Sequence, residues 1–370
     1  MPCTRGNPRE ESRVRGKGFQ MKIRIISVMS LVAIAWPLVG VTWAQSAKSV
    51  GELAKYSRAD RETMLYEGAK KEGKVVWYTS LVPSKEIAKV FESRYPGVRV
   101  EVYRASGIEL TNKALAEHKA RRHIADTIEA TPGALMTLRD EQFFALYHSP
   151  HLKNYPDSAK ERAKSGLAYW TTDRESYIGL AYNKNSTKGL ELPKTFDDLL
   201  KPALKGRMAI SSDESSARQF GAMVWAKSDS FIRKLKDQEV TLHGASGPGF
   251  NELIVSGEVP LSFVGFSTNV AHAAKKGSPV GWHALDLAVA NAGGVGISAN
   301  AQHPHAGLLL LDFLISPEGQ KMFGVTFAYG SGAKNYGFEK FYPEKGLTTD
   351  EYADRVEKWM RLMKEITRKN

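Results

Sequence analysis

Apolar residues recur along this chain in two rhythms, one of about 3.6 positions and one of two, and the switches between them mark helices and strands in turn. From Asp60 onward, Met64, Leu65 and Ala69 share one helical face that ends at Gly73, and Val75-Val76-Trp77-Tyr78 then reads as a short buried strand closed by Thr79-Ser80. Ser84 caps the next expected helix, with Ile87, Val90 and Phe91 on one face and Pro96-Gly97 as its stop. Val98, Val100 and Val102 alternate with Arg99 and Glu101 as a second strand running to Ser106-Gly107. A helix over about 108–121 follows, Ile124 to Ile128 is the third strand, and Thr131-Pro132 is an N-cap with proline at the first helical position. Strands alternating with helices predict a parallel, wound sheet. Thr79, Ser80, Ser106, Gly107 and Thr131 then fall at the carboxyl ends of strands, where open sheets bind ligands.

The second half keeps the alternation. Ser176 to Asn183 is a strand between polar segments and suits a crossing between lobes. Thr195 to Leu200 is a capped single turn, and Lys205-Gly206 leads into Met208-Ala209-Ile210, the end of a buried strand. Ser211-Ser212-Asp213-Glu214-Ser215-Ser216 then opens a helix through Phe220, Met223 and Val224. The first N–H groups of a helix lack internal partners and favour negative charge, so small hydroxyl side chains there suit a carboxylate or phosphate-like group. The competing reading is that Ser212 or Asp213 caps the helix, worth on the order of 1 kcal/mol. Helices are expected over 231–236 and 251–255, and a strand from Pro260 to Phe266 precedes Ser267, Thr268 and Asn269. Gly293-Gly294-Val295-Gly296-Ile297 reads as a return strand with close backbone approach. Helices follow from His305 to Leu314 and from Ser316, and Tyr352, Val356, Trp359, Met363 and Ile366 form one apolar face of a terminal helix.

At 370 residues, 42% hydrophobic and 25% charged, the chain has material for two lobes with a large core. Residues 21–44 set basic Lys22 and Arg24 before an apolar run from Ile25 to Val41 and a Thr42-Trp43-Ala44 exit, the order of a cleaved secretory signal peptide. The one cysteine, Cys3, precedes it, so the exported chain is expected to hold no disulfide. Residues 1–44 carry seven Lys/Arg against two Asp/Glu, which leaves seven of the twelve excess positive charges on the remainder. That excess is spread out, with no basic run interleaved by aromatics, so nucleic acid is not an expected partner.

Enzyme motifs fail on inspection. Gly68 to Lys74 has the spacing of a phosphate-binding loop, but Val75 stands where a magnesium-ligating hydroxyl belongs and the motif precedes a strand instead of following one. No Gly-x-Ser-x-Gly elbow occurs, Glu252 breaks a dinucleotide pattern begun at Gly247-Pro248-Gly249, and His303-Pro304-His305 lacks a third zinc ligand and suits a helix start. A secreted hydrolase is the lower alternative; no catalytic residue, cofactor or resident metal is expected.

The leader, Val75-Val76-Trp77-Tyr78-Thr79-Ser80, the strand at 178–183, Pro193-Lys194-Thr195-Phe196-Asp197-Asp198-Leu199-Leu200 with Lys205-Gly206, and Asp312-Phe313-Leu314-Ile315-Ser316-Pro317-Glu318-Gly319-Gln320 together resemble bacterial extracellular solute-binding proteins of ABC importers, in the ferric-iron-type branch. The resemblance implies an α/β, two-lobed, type II periplasmic-binding fold with the ligand cleft between lobes and hinge closure on one solute. It places the lobes at 45–177 with 285–345, and at 178–284, with a C-terminal helix over 346–370. It further implies a periplasmic monomer, peripheral to the membrane, that delivers its ligand to permease subunits. Iron-binding members use two adjacent tyrosines where Ser267 and Thr268 stand here, a histidine near Val82 and an acidic group near Thr131. Free ferric iron is therefore not the expected ligand, although an iron chelate held by its anion is an alternative. The expected ligand is a small carboxylate, phosphate or phosphonate, since similar proteins hold such groups at the helix start that is here Ser215-Ser216-Ala217. Thr79, Ser80, Ser106, Gly107 and Thr131 would bind from one lobe, and Ser211, Ser212, Ser215, Ser216, Phe266, Ser267 and Asn269 from the other. Asp213 is either a cap or the partner of an ammonium group on a zwitterionic ligand.

Overall fold

The computed structural model describes residues 49–162, 166–245 and 247–369. The expected leader and Cys3 lie outside the described residues. Helices α1 (Val50–Ala54) and α2 (Arg61–Glu72) lead into β1 (Lys74–Thr79), α3 (Ser84–Arg94), β2 (Arg99–Arg104), α4 (Gly107–Lys119), β3 (Thr127–Ala130) and α5 (Pro132–Asp140). A short strand β4 (Lys160–Arg162) precedes β5 (Ala168–Asn183), the longest strand among the described residues. Then come β6 (Ala209–Ser211), α6 (Glu214–Ala226), α7 (Asp229–Lys234), β7 (Val240–His243), α8 (Gly247–Ser256), β8 (Leu261–Phe266), α9 (Ser267–Lys275) and β9 (Val280–His283). The chain returns through β10 (Leu287–Ile297), α10 (Pro304–Ile315), α11 (Pro317–Phe327) and β11 (Glu339–Phe341), and ends in α12 (Thr349–Ile366) and β12 (Thr367–Lys369).

One sheet runs β2-β1-β3-β10-β5-β4, with β11 beside β10 and with β8 and β9 beside β5. β1 is parallel to β2 and β3, whereas β10 lies antiparallel to β3 and β5. The buried run Val75-Val76-Trp77-Tyr78 needs cover on both faces. Leu65, Ile87, Phe91, Leu310 and Phe313 pack with Val75 and Trp77, while Leu110 and Leu135 pack with Val76 and Tyr78. A second sheet of three strands, β12-β7-β6, adjoins the part of the core that holds Phe220, Phe263 and Ile210. β5 joins the two ends of the large sheet, pairing with β4 and β10 along its first part and with β8 and β9 along its second. The strand expected at 176–183 is the second half of one that begins at Ala168.

Two further expectations shift. The third strand occupies 127–130 instead of 124–128, because Asp126 interrupts the apolar run: its carboxylate accepts from the Val76 N–H at 2.8 Å and the His303 N–H at 2.9 Å, and Ile124 is left exposed. Ser84 is the first helical residue of α3 and Pro83 takes the cap position without a side-chain bond, while Val90 faces solvent instead of the core. The other stops hold: Gly73 ends α2 in the left-handed conformation that glycine adopts at least cost. No helix among the described residues is long and apolar enough to cross a membrane.

Candidate functional site

The carboxyl ends of β1 and β3 meet β5 and β10 at one buried carboxylate. Glu129, fully buried in β3, accepts hydrogen bonds from Thr79 Oγ1 at 2.7 Å, the Ser80 N–H at 2.9 Å and Ser80 Oγ at 3.1 Å. Arg174 of β5 completes the set, its Nη2 2.9 Å from Glu129 Oε1 and 3.2 Å from Ser80 Oγ. Burial, the largest influence, would lower the Arg174 pKa, but the Glu129 charge and hydrogen bond together with Tyr329 and Asp173 outweigh it, and the guanidinium stays protonated. On β10 the close approach expected at Gly293 is real: a Cβ there would stand 2.4 Å from Glu129 Oε1 and 2.6 Å from Arg174 Nε. Beside this pair Asp173 is fully buried and neither carboxylate oxygen has a partner among the described residues. Burial first, and the neighbouring Glu129 charge second, push its pKa well above the ordinary range.

Past the end of β3 lies a hollow of about 640 Å³. Gly107 and the segment Thr131 to Ala134 bring the amino ends of α4 and α5 to it, Glu214 brings the start of α6, and α12 closes one side through Thr349, Tyr352, Ala353, Val356 and Glu357. Arg218, buried in its wall, donates from Nη1 to Asn291 at 2.7 Å and from Nη2 to Glu344 at 3.0 Å, leaving Nε buried and unpartnered. Tyr352 donates its hydroxyl to Glu214 at 2.9 Å. The hollow therefore offers an anion the start of α5, where Thr131 makes no capping bond, beside a guanidinium held by Asn291 and Glu344, and it offers carboxylates to a hydroxyl or ammonium donor.

The start of α6 is organised more inwardly than its serines suggest. Asp213 is the helix cap, accepting from the Ser216 N–H at 3.2 Å and also from the Ser215 hydroxyl, so neither Asp213 nor Ser215 presents an uncommitted polar group. Ser211 and Ser216 bond each other at 2.7 Å in a buried pair, and the Ser212 N–H donates to His243 O. Of the expected set, Gly107 and Thr131 line the hollow, Thr79 and Ser80 hold Glu129, and exposed Ser106 forms a reciprocal cap with Glu109. Ser267 starts α9, accepts from the Tyr177 N–H at 2.9 Å, and lines a separate hollow of about 650 Å³ with Tyr177, Trp282, Tyr329 and Tyr336. Phe266 and Asn269 flank it, half-buried. Thr268 is turned to Ser176, 2.7 Å away. The guanidinium of Arg174 lies 5.6 Å from the Tyr329 ring, so the Glu129 cluster touches the border of this second hollow as well.

One expectation about the donor set is corrected. An acidic side chain does stand at the end of the third strand, Glu129, two residues before Thr131, and the misplaced strand boundary hid it. Its carboxylate is committed to Arg174 and three other donors, and among the described residues no three His, Cys, Asp or Glu side chains converge as a metal-holding group. Arg174 and Arg218 went unnoticed because each sits within an otherwise ordinary strand or helix, and only the fold shows that each is buried against a carboxylate.

The profile of bacterial extracellular solute-binding proteins matches residues 86–348. A curated relative from Haemophilus influenzae, described as an uncharacterized protein, is 26% identical over 191 residues, which are 48% of this chain and 54% of the relative, so the chain spans about half the length of the curated relative it matches. Among solved structures, iron-bound HitA from Pseudomonas aeruginosa superimposes with a TM-score of 0.61 at 18% identity, over 79% of this chain and 99% of that one. AfuA from Actinobacillus pleuropneumoniae, with fructose-6-phosphate bound, gives 0.62 at 21% identity over 79% and 99%. The substrate-binding protein of an ABC transporter from Agrobacterium tumefaciens gives 0.64 at 16% identity over 78% and 94%. These likenesses carry the two-lobed periplasmic-binding fold, and with the profile covering most of its length the chain belongs to the bacterial extracellular solute-binding proteins.

Proposed function

We propose that this protein is the periplasmic capture component of an ABC importer, exported by its leader, and that it closes its lobes on a small organic anion and hands it unaltered to the permease. The observation that carries the reading is the hollow where the amino ends of α4, α5 and α6 meet beside a buried arginine with an unpartnered Nε. An anionic group there would gain charge-assisted hydrogen bonds worth about 1.5–3 kcal/mol each. Glu214 and Glu357 on the same walls disfavour a bare inorganic anion and favour one that also carries hydroxyl or amino donors. A sugar phosphate, hydroxy acid or aminophosphonate has both features, and AfuA, which shares the fold, holds a sugar phosphate.

Free ferric iron fits this donor set poorly. The two hydroxyls at the start of α9 are taken up by β5, and Glu129 already faces a guanidinium, which would repel a trivalent cation. A ferric chelate gripped through its anionic chelator would use the same hollow.

A thermal-shift screen of carboxylates, phosphonates, sugar phosphates and ferric citrate tests the reading. A stabilising organic anion whose effect is much reduced in Arg218→Gln is expected. Stabilisation by ferric ion with a non-coordinating counter-ion, or by no member of the panel, would overturn it.

A further inference from the structure

The matched profile ends at residue 348, and α12 with β12 follows it directly. This C-terminal piece touches residues of both proposed lobes. Toward its carboxyl end it belongs to the lobe of α6: the ring of Trp359 covers Gly221 so closely that a Cβ there would lie 2.6 Å from it, Lys358 pairs with Asp229 at 2.9 Å, and β12 extends the sheet of β6 and β7. Toward its amino end it also reaches the other lobe: Thr349 Oγ1 donates to Asp140 at 2.5 Å, and Tyr352, whose hydroxyl is held by Glu214 of α6 at 2.9 Å, packs its ring against Gly133, within 3.6 Å of where a Cβ would stand.

We infer that α12 is a latch across one flank of the cleft, which limits how far the lobes part before a solute arrives. In the proposed lobe motion β5 and β10 permit rotation, and contacts lying away from such a hinge resist it with the longest lever arm. The division of labour along the helix fits this role. The carboxyl-terminal half is buried through Trp359, Leu362, Met363 and Ile366, whereas the amino-terminal half makes few contacts with α5 and lines the hollow instead. Such a half can let go without unfolding the helix. The inference uses the proposed lobe motion but no particular solute, so it stands or falls separately from the ligand.

The test needs no ligand. In a Cys3→Ser background, spin labels at Lys89→Cys on α3 and Lys236→Cys beyond α7 report the distance between lobes. Thr349→Val with Tyr352→Ala should shift the solute-free distribution to longer and broader distances. The engineered disulfide of Asp140→Cys with Thr349→Cys, made with no label cysteines present, should lower the radius of gyration in solution scattering relative to its reduced form. Circular dichroism of both variants should retain the helical signal and a cooperative melt. An unchanged or shortened label distance in the first variant, or an unchanged radius on oxidising the second, overturns the latch.

Discussion

At the scale of single residues, the Glu129–Arg174 pair decides how the strand ends behave. Both groups are withdrawn from water, so their attraction must offset a desolvation cost of several kcal/mol per ion, and the hydrogen bonds from Thr79 and Ser80 help to do so. Glu129→Ala leaves an uncompensated guanidinium and should lower stability by about 3–5 kcal/mol, read by denaturant unfolding. Glu129→Leu with Arg174→Met should recover most of that loss, because two apolar groups of similar volume have no charge to bury. Asp173 carries the opposite lesson. Its native pKa lies above the unfolded value, so the folded state holds a proton that the unfolded chain has already released. Stability should therefore be greatest at acid pH on this account and fall as pH rises from the unfolded carboxylate value through the native one, by up to about 1.4 kcal/mol per pH unit. Asp173→Asn removes that slope: melting temperatures of variant and wild type should converge near pH 4, with the variant gaining relative stability toward neutrality. None of these three residues stood out in the sequence. A carboxylate two residues before a cap, or an arginine in a sixteen-residue strand, looks like surface until the fold shows what covers it.

At the scale of elements, reading the hydrophobic rhythm worked wherever a segment buries one clear face. α2, β1, β2, α4 and α10 begin and end within a residue or two of expectation, because glycine, proline and small hydroxyl residues set their ends, whereas α12 spans 349–366 within the expected 346–370. The short strands β4, β7, β9, β11 and β12 were invisible, since three or four residues hold too little alternation and their pairing is decided by distant partners. The α6 start shows how far motif reading reaches. Its helix was legible, its cap was one of two readings, and the mutual bonding of Ser211 with Ser216 depended on the exact turn of the backbone. Element packing also reverses a simple propensity argument at Gly221. Alanine in a helix interior is favoured over glycine by about 1 kcal/mol, yet the new methyl would meet the Trp359 ring at 2.6 Å. Overpacking of that kind costs about 1–3 kcal/mol, so Gly221→Ala should destabilise slightly or break even, and Gly221→Leu should detach α12 outright. Fluorescence of Trp359, shifted to longer wavelength as the ring meets water, would report the detachment if read against a Trp359→Phe control.

At the scale of the whole molecule, capture and closure are separate events with separate signatures. A solute that binds only the folded state stabilises it by about 2.7 kcal/mol at a hundred times its Kd, whether it touches one lobe or two. Thermal shift alone therefore cannot tell a cleft ligand from one seated on a single lobe. Closure can, because a ligand bridging the α4 and α5 starts to Arg218 gains its last bonds only when the lobes approach. The radius of gyration from solution scattering should fall on saturation, and amide exchange should slow in β5 and β10, where the proposed rotation would be absorbed. In Arg218→Gln the two readouts should part. Residual stabilisation from the α4 and α5 side would persist, while the compaction disappears, since nothing from the second lobe remains to reward closing. A solute that compacts the variant as fully as the wild type would place the bridging contact elsewhere, with the hollow beside Tyr177 and Ser267 as the next candidate.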